Sequence, residues 1–312
     1  MFIVFEHTSN APKRGLSVPN YEITIIESIY GILPEDDLDQ EAVEEPEYSD
    51  SECSDDEEDE EVPLHTAQTF YDTYVARTRE QVLSEEEAPQ RSKRWLDARK
   101  YSLTASAFGA AVGSNPYMTS DELLHEKLWS TFKGNAATQY GSEHEVDAQA
   151  SFEQFVHEFE PNARLESRNL MKSEVCPWLA VSPDNLLHRE DGSIDLVEYK
   201  CPAYLRDTEH HPYRKYPHNV PPYYMDQMQG IMGYLNTYLN YDIQQAWFVV
   251  WQDKRTFVIK IPYNDDYFHE TLFPQLKLWY FQKYLPALIH KHNGDIQQGE
   301  TKPVPILDLS AL

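Results

Sequence analysis

The sequence of residues 179–202 is LAVSPDNLLHREDGSIDLVEYKCP, and its pattern decides the expected fold. Asp191-Gly192 is one of the strongest short-range hairpin signals, and it lies between two apolar runs. A two-residue turn centred on this pair makes Asp184 and Glu198 neighbours across two antiparallel strands, to within about one residue of register. The stretch therefore predicts a β-hairpin with two acids close together at its open end.

A third charge joins these acids. Glu198 and Lys200 share a face of the second strand, because side chains alternate along a strand. Two carboxylates and one ammonium at one point would hold a divalent metal and cleave a phosphodiester. Charged residues near a turn are usually only solvated, but these interrupt apolar strands, where unpartnered charges are rare. From the hairpin alone, a metal site and a solvated trio both stay open.

The charge of the chain is uneven. The 312 residues carry a net charge of −27, but residues 1–90 contain 25 acidic and 4 basic residues, whereas residues 91–312 contain 28 and 22. Residues 35–61 hold 17 acids and no Lys or Arg, which predicts disorder because such a segment repels itself and has little to bury. Three interpretations of this segment are open. It is a solubilising linker, a phosphate mimic that competes for the protein's own DNA groove, or a docking tail for a basic partner. The first interpretation is favoured.

Cysteine and histidine usage limits the metal sites to be considered. Three cysteines exclude a four-cysteine zinc or iron–sulfur site within one chain. The histidines at 210, 211 and 218 match no standard zinc spacing, so neither zinc nor an iron–sulfur cluster is expected, and their Pro- and Tyr-rich loop suits a surface against DNA or another subunit. Without a signal peptide or an apolar run of membrane-spanning length, we expect a soluble, intracellular protein that does not bind membranes.

The organisation of the chain predicts one main folded domain. We expect a small β-rich extension over residues 1–34, which adds an edge strand or binds a partner, a disordered acidic linker over 35–64, a folded domain over 65–292 and a tail over 293–312. Helices before and after a group of strands predict an α/β (α+β) fold with a central mixed sheet. The expected elements of the domain are helices at about 91–112, after Ser120, and at about 141–157, strands around 168–200, a helix at about 222–240, a hairpin at 246–262 and a helix at about 266–290.

Two polar residues lie on apolar helix stripes. Glu145 is in line with three apolar residues at i+3, i+7 and i+11, so it either faces inward or extends to water at the edge of the stripe. If it faces inward, Asp184, Glu198, Glu145 and the backbone carbonyl of Tyr199 form an oxygen-only ligand set suited to Mg²⁺. Gln227 shares the stripe of Ile231, Tyr234 and Tyr238, and it is either buried with a hydrogen-bond partner or faces the rim.

A basic cluster precedes these elements. Five cations lie at positions 91, 93, 94, 99 and 100, followed by Ser102, Thr104 and Ser106. Arginine forks and hydroxyl groups bind phosphate, although such a cluster alone is more often a solvated helix face.

Taken in order, the motifs resemble one family, the YqaJ-type viral recombinase nucleases, to which phage lambda exonuclease belongs, within the PD-(D/E)xK superfamily. The resemblance spans roughly residues 88–265, and six motifs in the right order make it specific. The matching motifs are Gln90-Arg91-Ser92 with Trp95-Leu96 and Arg99, Leu103-Thr104-Ala105-Ser106, Gly141 with Glu145 and Ala148, Ser182-Pro183-Asp184, Glu198-Tyr199-Lys200-Cys201-Pro202, and Tyr224-Met225-Asp226-Gln227-Met228-Gln229.

The resemblance implies a restriction-endonuclease-like core and a Mg²⁺-dependent exonuclease, with Mn²⁺ as a substitute, that degrades the 5′ strand of linear double-stranded DNA. By position, Asp184 and Glu198 resemble the metal ligands, Glu145 a contributor at the metal, and Lys200 the lysine that orients or deprotonates the attacking water. Gln227 resembles the active-site glutamine of the family. The positions that resemble phosphate-binding residues are Arg99, at the 5′ end, Ser106 and Ser182.

The family also implies partners and leaves alternatives. It suggests DNA ends as substrate, a single-strand annealing protein as partner, a ring trimer, and a place in the host nucleus or a cytoplasmic viral replication site. A structure-specific endonuclease and an inactive DNA-binding protein remain alternatives, since the motif fixes the chemistry and not the substrate. The chain departs from the family at Asn185, which replaces a glycine; asparagine tolerates left-handed backbone geometry, so we expect the turn to survive.

Overall fold

The computed structural model describes residues 65–90, 92–129, 136–203, 211–253 and 255–301, and the backbone of two strands near the N-terminus. The predicted acidic linker at 35–64 lies outside the described residues. So do residues 302–312, which make up most of the predicted tail.

Within these residues, nine strands build a seven-stranded sheet and a small two-stranded one. The strands are β1 (Phe2–His7), β2 (Tyr21–Ile26), β3 (Leu103–Thr104), β4 (Arg164–Glu166), β5 (Leu179–Ala180), β6 (Asn185–His188), β7 (Ile194–Lys200), β8 (Ile243–Gln252) and β9 (Arg255–Pro262). The large sheet has the order β2-β1-β9-β8-β7-β6-β4, and β3 pairs with β5. The pairs β1–β9 and β7–β8 are parallel and the other pairs of the large sheet are antiparallel, so the sheet is mixed, as predicted.

Helices cover both faces of this sheet. The described α-helices are α1 (Ala67–Phe70), α2 (Arg79–Glu86), α3 (Lys93–Arg99), α4 (Phe108–Ala111), α5 (Ser120–Trp129), α6 (Ala136–Glu143), α7 (Glu145–His157), α8 (Pro222–Leu239), α9 (Phe273–Trp279) and α10 (Leu285–His292). Short 3₁₀ turns span Ala105–Ala107 and Pro217–Asn219, and π-helical turns span Tyr71–Val75, Tyr267–Leu272 and Tyr280–Tyr284. None of the helices in the described part of the chain is long and apolar enough to cross a membrane.

The strand β7, an inner strand of the large sheet, contributes to two hydrophobic cores. Leu196 belongs to the larger core, which also contains Ile231 of α8. Val197 and Tyr199 belong to a second core, which contains Phe152 of α7. Because side chains alternate along the strand, Glu198 and Lys200 share the face of Leu196 and point toward the α8 layer.

Two expectations about the elements are refined by the structure. The pattern over 91–112 is not one helical region: α3 ends at Arg99, and β3 follows, because the amide of Leu103 donates to the carbonyl of Trp178 (2.8 Å) and the strand pairs with β5. The cap of α5 is Thr119 rather than Ser120. The hydroxyl of Thr119 accepts from the amide of Glu122 (3.2 Å), and the carboxylate of Glu122 accepts from the amide of Thr119 (2.7 Å).

The sequence left two uses open for the first strands of the chain. The structure pairs β1 with the edge of β9 in parallel and β2 with β1 in antiparallel. These strands therefore extend the main sheet, which is the edge-strand alternative.

Candidate active site

The predicted hairpin is present, but its turn is one residue longer than expected. The amide of Arg189 donates to the carbonyl of Ser193 (2.9 Å), so the loop consists of residues 190–192. The amide of Gly192 donates to the carbonyl of Arg189 (3.1 Å), and Gly192 has a φ of +87°. A type I turn followed by a left-handed glycine is the usual three-residue hairpin loop, and glycine adopts that backbone without a steric cost.

The longer loop shifts the register by one residue. Asn185 pairs with Val197, so Asp184, the residue before β6, falls directly opposite Glu198. The side chain of Asp184 accepts a hydrogen bond from the backbone amide of Tyr199 (2.8 Å). Both acids therefore lie at the same end of the hairpin and on the face that points toward α8.

Glu198 is the centre of the site. It is 1% exposed, and its Oε1 accepts hydrogen bonds from the ammonium of Lys200 and from Nε2 of Gln227 (2.5 Å). Its Oε2 is buried and has no hydrogen-bond partner among the described residues. A buried carboxylate oxygen of this kind is costly, so it indicates a place for a further positive group or donor.

The charges of the site act strongly on each other. Burial and the charge of Glu198 raise the pKa of Asp184 well above its ordinary value, and the charge of Glu145 adds to this, against the opposing charge of Lys200. Burial alone lowers the pKa of Lys200, but the charges of Glu198 and Asp184 outweigh it and raise that pKa. Two acids share one lysine, and a second cation would relieve their repulsion.

Glu145 approaches from the other layer. It is the first residue of α7, it is half-buried, and the apolar residues of its stripe, Ala148, Phe152 and Val156, are buried. Within the part of the chain that the structure describes, no three His, Cys, Asp or Glu side chains lie close enough together to hold a metal ion. The acids that face each other at this site are Asp184 and Glu198, and Glu145 acts on Asp184 through its charge.

Asn185 does not have the role expected from the sequence. It lies in β6, it is not among the residues with positive φ, and it is buried. Its Oδ1 accepts from the hydroxyl of Tyr199 (2.7 Å), and its Nδ2 donates to Ser167 (3.0 Å). Its amide therefore fastens β6 to β7 beside the acids, and tolerance of a left-handed backbone is not needed.

The predicted phosphate-binding residues come from three adjoining segments. α3 packs through Trp95 and Ala98 into a small core that contains Ala180 of β5. Arg99, at the end of α3, is half-buried, its guanidinium lies 3.9 Å from the centre of the Trp95 ring, and burial lowers its pKa to about 10, so it stays charged at neutral pH.

The serines of this group follow the paired strands β3 and β5. Thr104 pairs in parallel with Ala180, so Ser106 and Ser182 each lie two residues beyond the last paired position. Ser106 is exposed, whereas the hydroxyl of Ser182 is buried and has no hydrogen-bond partner among the described residues. Ser182 also precedes Asp184 by two residues, which connects this segment to the acidic pair.

The histidine-rich loop is described from residue 211 onward, and His210 lies outside the described residues. His211 is buried, its Nδ1 accepts from the amide of Tyr213 (3.1 Å), and its ring packs edge-on against Phe257 (4.7 Å). His211 therefore has a structural role in the interior of the fold.

Residues 94–235 match the family model of the YqaJ-like viral recombinase domain. Over this segment the chain is similar to the YqaJ-like viral recombinase domain. The matched segment includes α3 with Arg99, the whole hairpin and the part of α8 with Gln227, so every predicted site residue lies inside it.

A solved structure is similar to this chain in fold. An alkaline exonuclease, LHK-Exo, from Laribacter hongkongensis, solved in complex with dAMP, is 21% identical, with a TM-score of 0.51, covering 65% of this chain and 97% of that one. Another structure of LHK-Exo is 23% identical, with a TM-score of 0.49 and the same coverage. No curated protein sequence matches this chain.

The structure adds residues to the candidate site that sequence reasoning missed. The ammonium of Lys200 lies 4.8 Å from the centre of the Tyr224 ring. Asp226, one residue before Gln227, is buried and accepts hydrogen bonds from the hydroxyls of Ser114 and Tyr267. The position of Asp226 beside Gln227 was a signal, but its partners are distant in sequence and no local pattern identifies them.

Proposed function

We propose that this protein is a Mg²⁺-dependent DNA exonuclease that degrades the 5′ strand at the ends of linear double-stranded DNA. The observation that carries the proposal is the buried Glu198, directly opposite Asp184. One of its oxygens accepts from two donors, and the other has no donor among the residues that the structure describes. The YqaJ-like domain and the fold shared with an alkaline exonuclease support it.

The donor set fits a hard divalent cation. The Oε2 of Glu198, unpaired among the described residues, and the pKa of Asp184, which burial and the charge of Glu198 raise, both fit the binding of a positive ion. Mg²⁺ uses one or two carboxylates and completes its shell with water and substrate phosphate, so a two-acid site is sufficient. Asp184, Glu198 and the carbonyl of Tyr199 would hold the ion, with Glu145 contributing at the site; Mn²⁺ would substitute. Such an ion polarises a phosphoryl oxygen and lowers the pKa of bound water.

The remaining residues have separate roles. Lys200, whose pKa the charges of Glu198 and Asp184 raise against the effect of burial, is protonated; it orients the attacking water and stabilises the negative charge that develops on the phosphate. Gln227 donates to Glu198 and thereby fixes which oxygen of this carboxylate remains available. Arg99, Ser106 and Ser182 bind phosphate, with Arg99 at the 5′ end, because a guanidinium fork and hydroxyl donors suit phosphate oxygens.

The similarity of residues 94–235 to the YqaJ-like viral recombinase domain also supports a proposal for the biological setting. We propose a role in viral DNA recombination, repair or genome processing, with a ring-shaped trimer as the assembly and a single-strand annealing protein as the partner. Residues 65–292 form the nuclease unit, and residues 1–34, 35–64 and 293–312 are the additions described above.

The test compares linear with covalently closed circular duplex DNA, both labelled along the whole strand, with Mg²⁺ and with a chelator. The wild type should degrade linear DNA alone and only with metal, and Asp184→Ala and Lys200→Ala should lower the rate by at least about 100-fold. Glu190→Gln, an exposed acid at the other end of the same hairpin, is the matched control and should retain activity.

Other outcomes assign other functions. Cutting of closed circles would assign a structure-specific endonuclease instead. A folded wild type that binds DNA but leaves both substrates intact would assign a DNA-binding protein. Release of nucleotides from strands labelled at the 5′ or the 3′ end decides the polarity, and early loss of the 3′ label would contradict the proposed direction.

A further inference from the structure

A row of three tyrosines leads from the surface to the acids. The row, called here the tyrosine platform, consists of Tyr117, Tyr223 and Tyr224. The ring centres of Tyr117 and Tyr223 are 6.1 Å apart and those of Tyr223 and Tyr224 are 4.4 Å apart. At its inner end, the ring of Tyr224 lies 4.8 Å from the ammonium of Lys200, and at its outer end Tyr117 is 70% exposed.

The outer tyrosine is held in place rather than loosely exposed. The backbone amide of Tyr117 donates to the side chain of Asn115 (2.9 Å), which fixes the turn before it. The hydroxyl of Ser114, in the same loop, donates to the buried carboxylate of Asp226 on α8. This loop is therefore attached to the helix that carries Gln227 and the two other tyrosines.

The middle tyrosine is positioned by a close helix contact. A Cβ atom added at Gly109 of α4 would lie 2.4 Å from Cβ and 2.7 Å from Cα of Tyr223. Real atoms do not approach so closely, so only glycine lets α4 and the start of α8 meet here. The platform is a preorganised surface, and stacking on it costs little ordering entropy.

Cations border the platform. Lys215 is exposed, its ammonium lies 4.9 Å from the centre of the Tyr216 ring, and the side chains of Tyr216 and Lys215 lower the pKa of Tyr117. Arg214 is also exposed. In a chain with a net charge of −27, aromatic faces combined with cations are the chemistry that binds unpaired nucleotides, whose bases stack while their phosphates meet positive charge.

We propose that the tyrosine platform stacks the unpaired bases of a frayed or tailed DNA end and so aligns the adjoining phosphate with Asp184 and Glu198. This inference rests on the proposed nuclease function, since it assigns the form of DNA that the site accepts. The occupant is a separated strand, because a base pair inside a duplex offers no free face to Tyr117.

The test uses a duplex with a tail of about four unpaired nucleotides that contains 2-aminopurine, and a fully paired duplex with the same base inside. Binding is measured in an Asp184→Asn background, so that the DNA stays intact. The tail fluorescence should be quenched on binding, and Tyr117→Ala and Tyr223→Ala should each weaken binding of the tailed probe by about five-fold or more. The paired probe should change by less than about two-fold, and Tyr117→Phe, which keeps the ring, should bind as the parent does.

Phe159→Ala is the matched control, because Phe159 is an aromatic residue, 53% exposed, that follows α7 on the opposite layer. Equal binding of the tailed probe by the parent and both alanine variants would contradict the proposed stacking of bases on the tyrosine platform, whatever the nuclease assay shows. A wild type that cleaves no DNA while its platform variants lose tail binding would overturn the proposed nuclease function and leave the platform in place.

Discussion

Replacement of Lys200 by methionine tests the electrostatic balance of the site. The ammonium of Lys200 contacts the 1% exposed Glu198, and the charges of Glu198 and Asp184 raise its pKa. Methionine has a similar length and no charge, so the variant keeps two neighbouring carboxylates without their cation. We expect Lys200→Met to destabilise the protein strongly in the absence of divalent metal.

The magnitude follows from burial. Removing one partner of a buried ion pair costs about 3–5 kcal/mol, and since the side chain of Lys200 is 19% exposed we expect the lower end, about 3 kcal/mol. For a domain of this size, that loss lowers Tm by about 6–12 °C. The folded state already raises the pKa of Asp184, which means that folding favours its protonated form. Without Lys200, the loss of unfolding free energy should therefore grow as pH rises above about 4, where Asp184 ionises in the unfolded chain.

A second substitution separates this effect from simple loss of packing. Glu198→Gln in the Lys200→Met background removes one of the two repelling charges, and we expect it to recover about half of the lost free energy. Mg²⁺ should stabilise Lys200→Met more than the wild type, because a bound ion replaces the missing charge. The free energy of unfolding is measured with urea, in chelator and in Mg²⁺. A single variant within about 0.5 kcal/mol of the wild type, or a double variant less stable than the single one, would refute the reasoning.

Two further predictions concern the scaffold. Gly233→Ala should lower the free energy of unfolding in urea by about 1–3 kcal/mol, because the added Cβ would lie 2.2–2.5 Å from three atoms of the Phe268 ring. Gly141→Ala is the control: the nearest atom to its added Cβ would be 3.9 Å away, so its free energy of unfolding should not fall. Burial lowers the pKa of His211 from 6.5 to about 3, so the unfolded state binds an extra proton and stability falls as pH drops below about 6.5. His211→Asn should remove up to about 1.4 kcal/mol per pH unit of this dependence between about pH 6 and pH 4, and parallel stability curves for the two proteins would contradict the assignment.

The sequence predicted the hairpin because its signals are local. Asp191-Gly192 located the turn, and the alternation of Leu196, Glu198 and Lys200 fixed their common face. The register was off by one residue because the left-handed Gly192 ends a three-residue loop, and loop length is not visible in the residue types alone. The pairing of Asp184 with Glu198 was within the expected tolerance, and the structure makes it direct.

Helical periodicity predicted which side chains could be buried but not their hydrogen-bond partners. The stripe of Gln227 left two orientations open, and the structure selects the buried one, at 9% exposure, with a bond to Glu198. That bond joins α8 to β7, and only the tertiary fold brings them together. The strand β3 was missed for a related reason: two residues show no alternation, and its existence depends on the distant β5.

The strand β7 explains how the pair of Asp184 and the buried Glu198 keeps its geometry. The amide of Tyr199 holds Asp184, while the hydroxyl of the same residue bonds Asn185 and its ring belongs to the core beneath α7. Glu198, one position earlier, faces the opposite layer and is fixed there by Gln227. The register that sets Asp184 against Glu198 is thus enforced from both sides of the sheet. Loss of packing under α7 would displace Asp184 even where Lys200 and Gln227 remain in place, so the precision of this site depends on both cores.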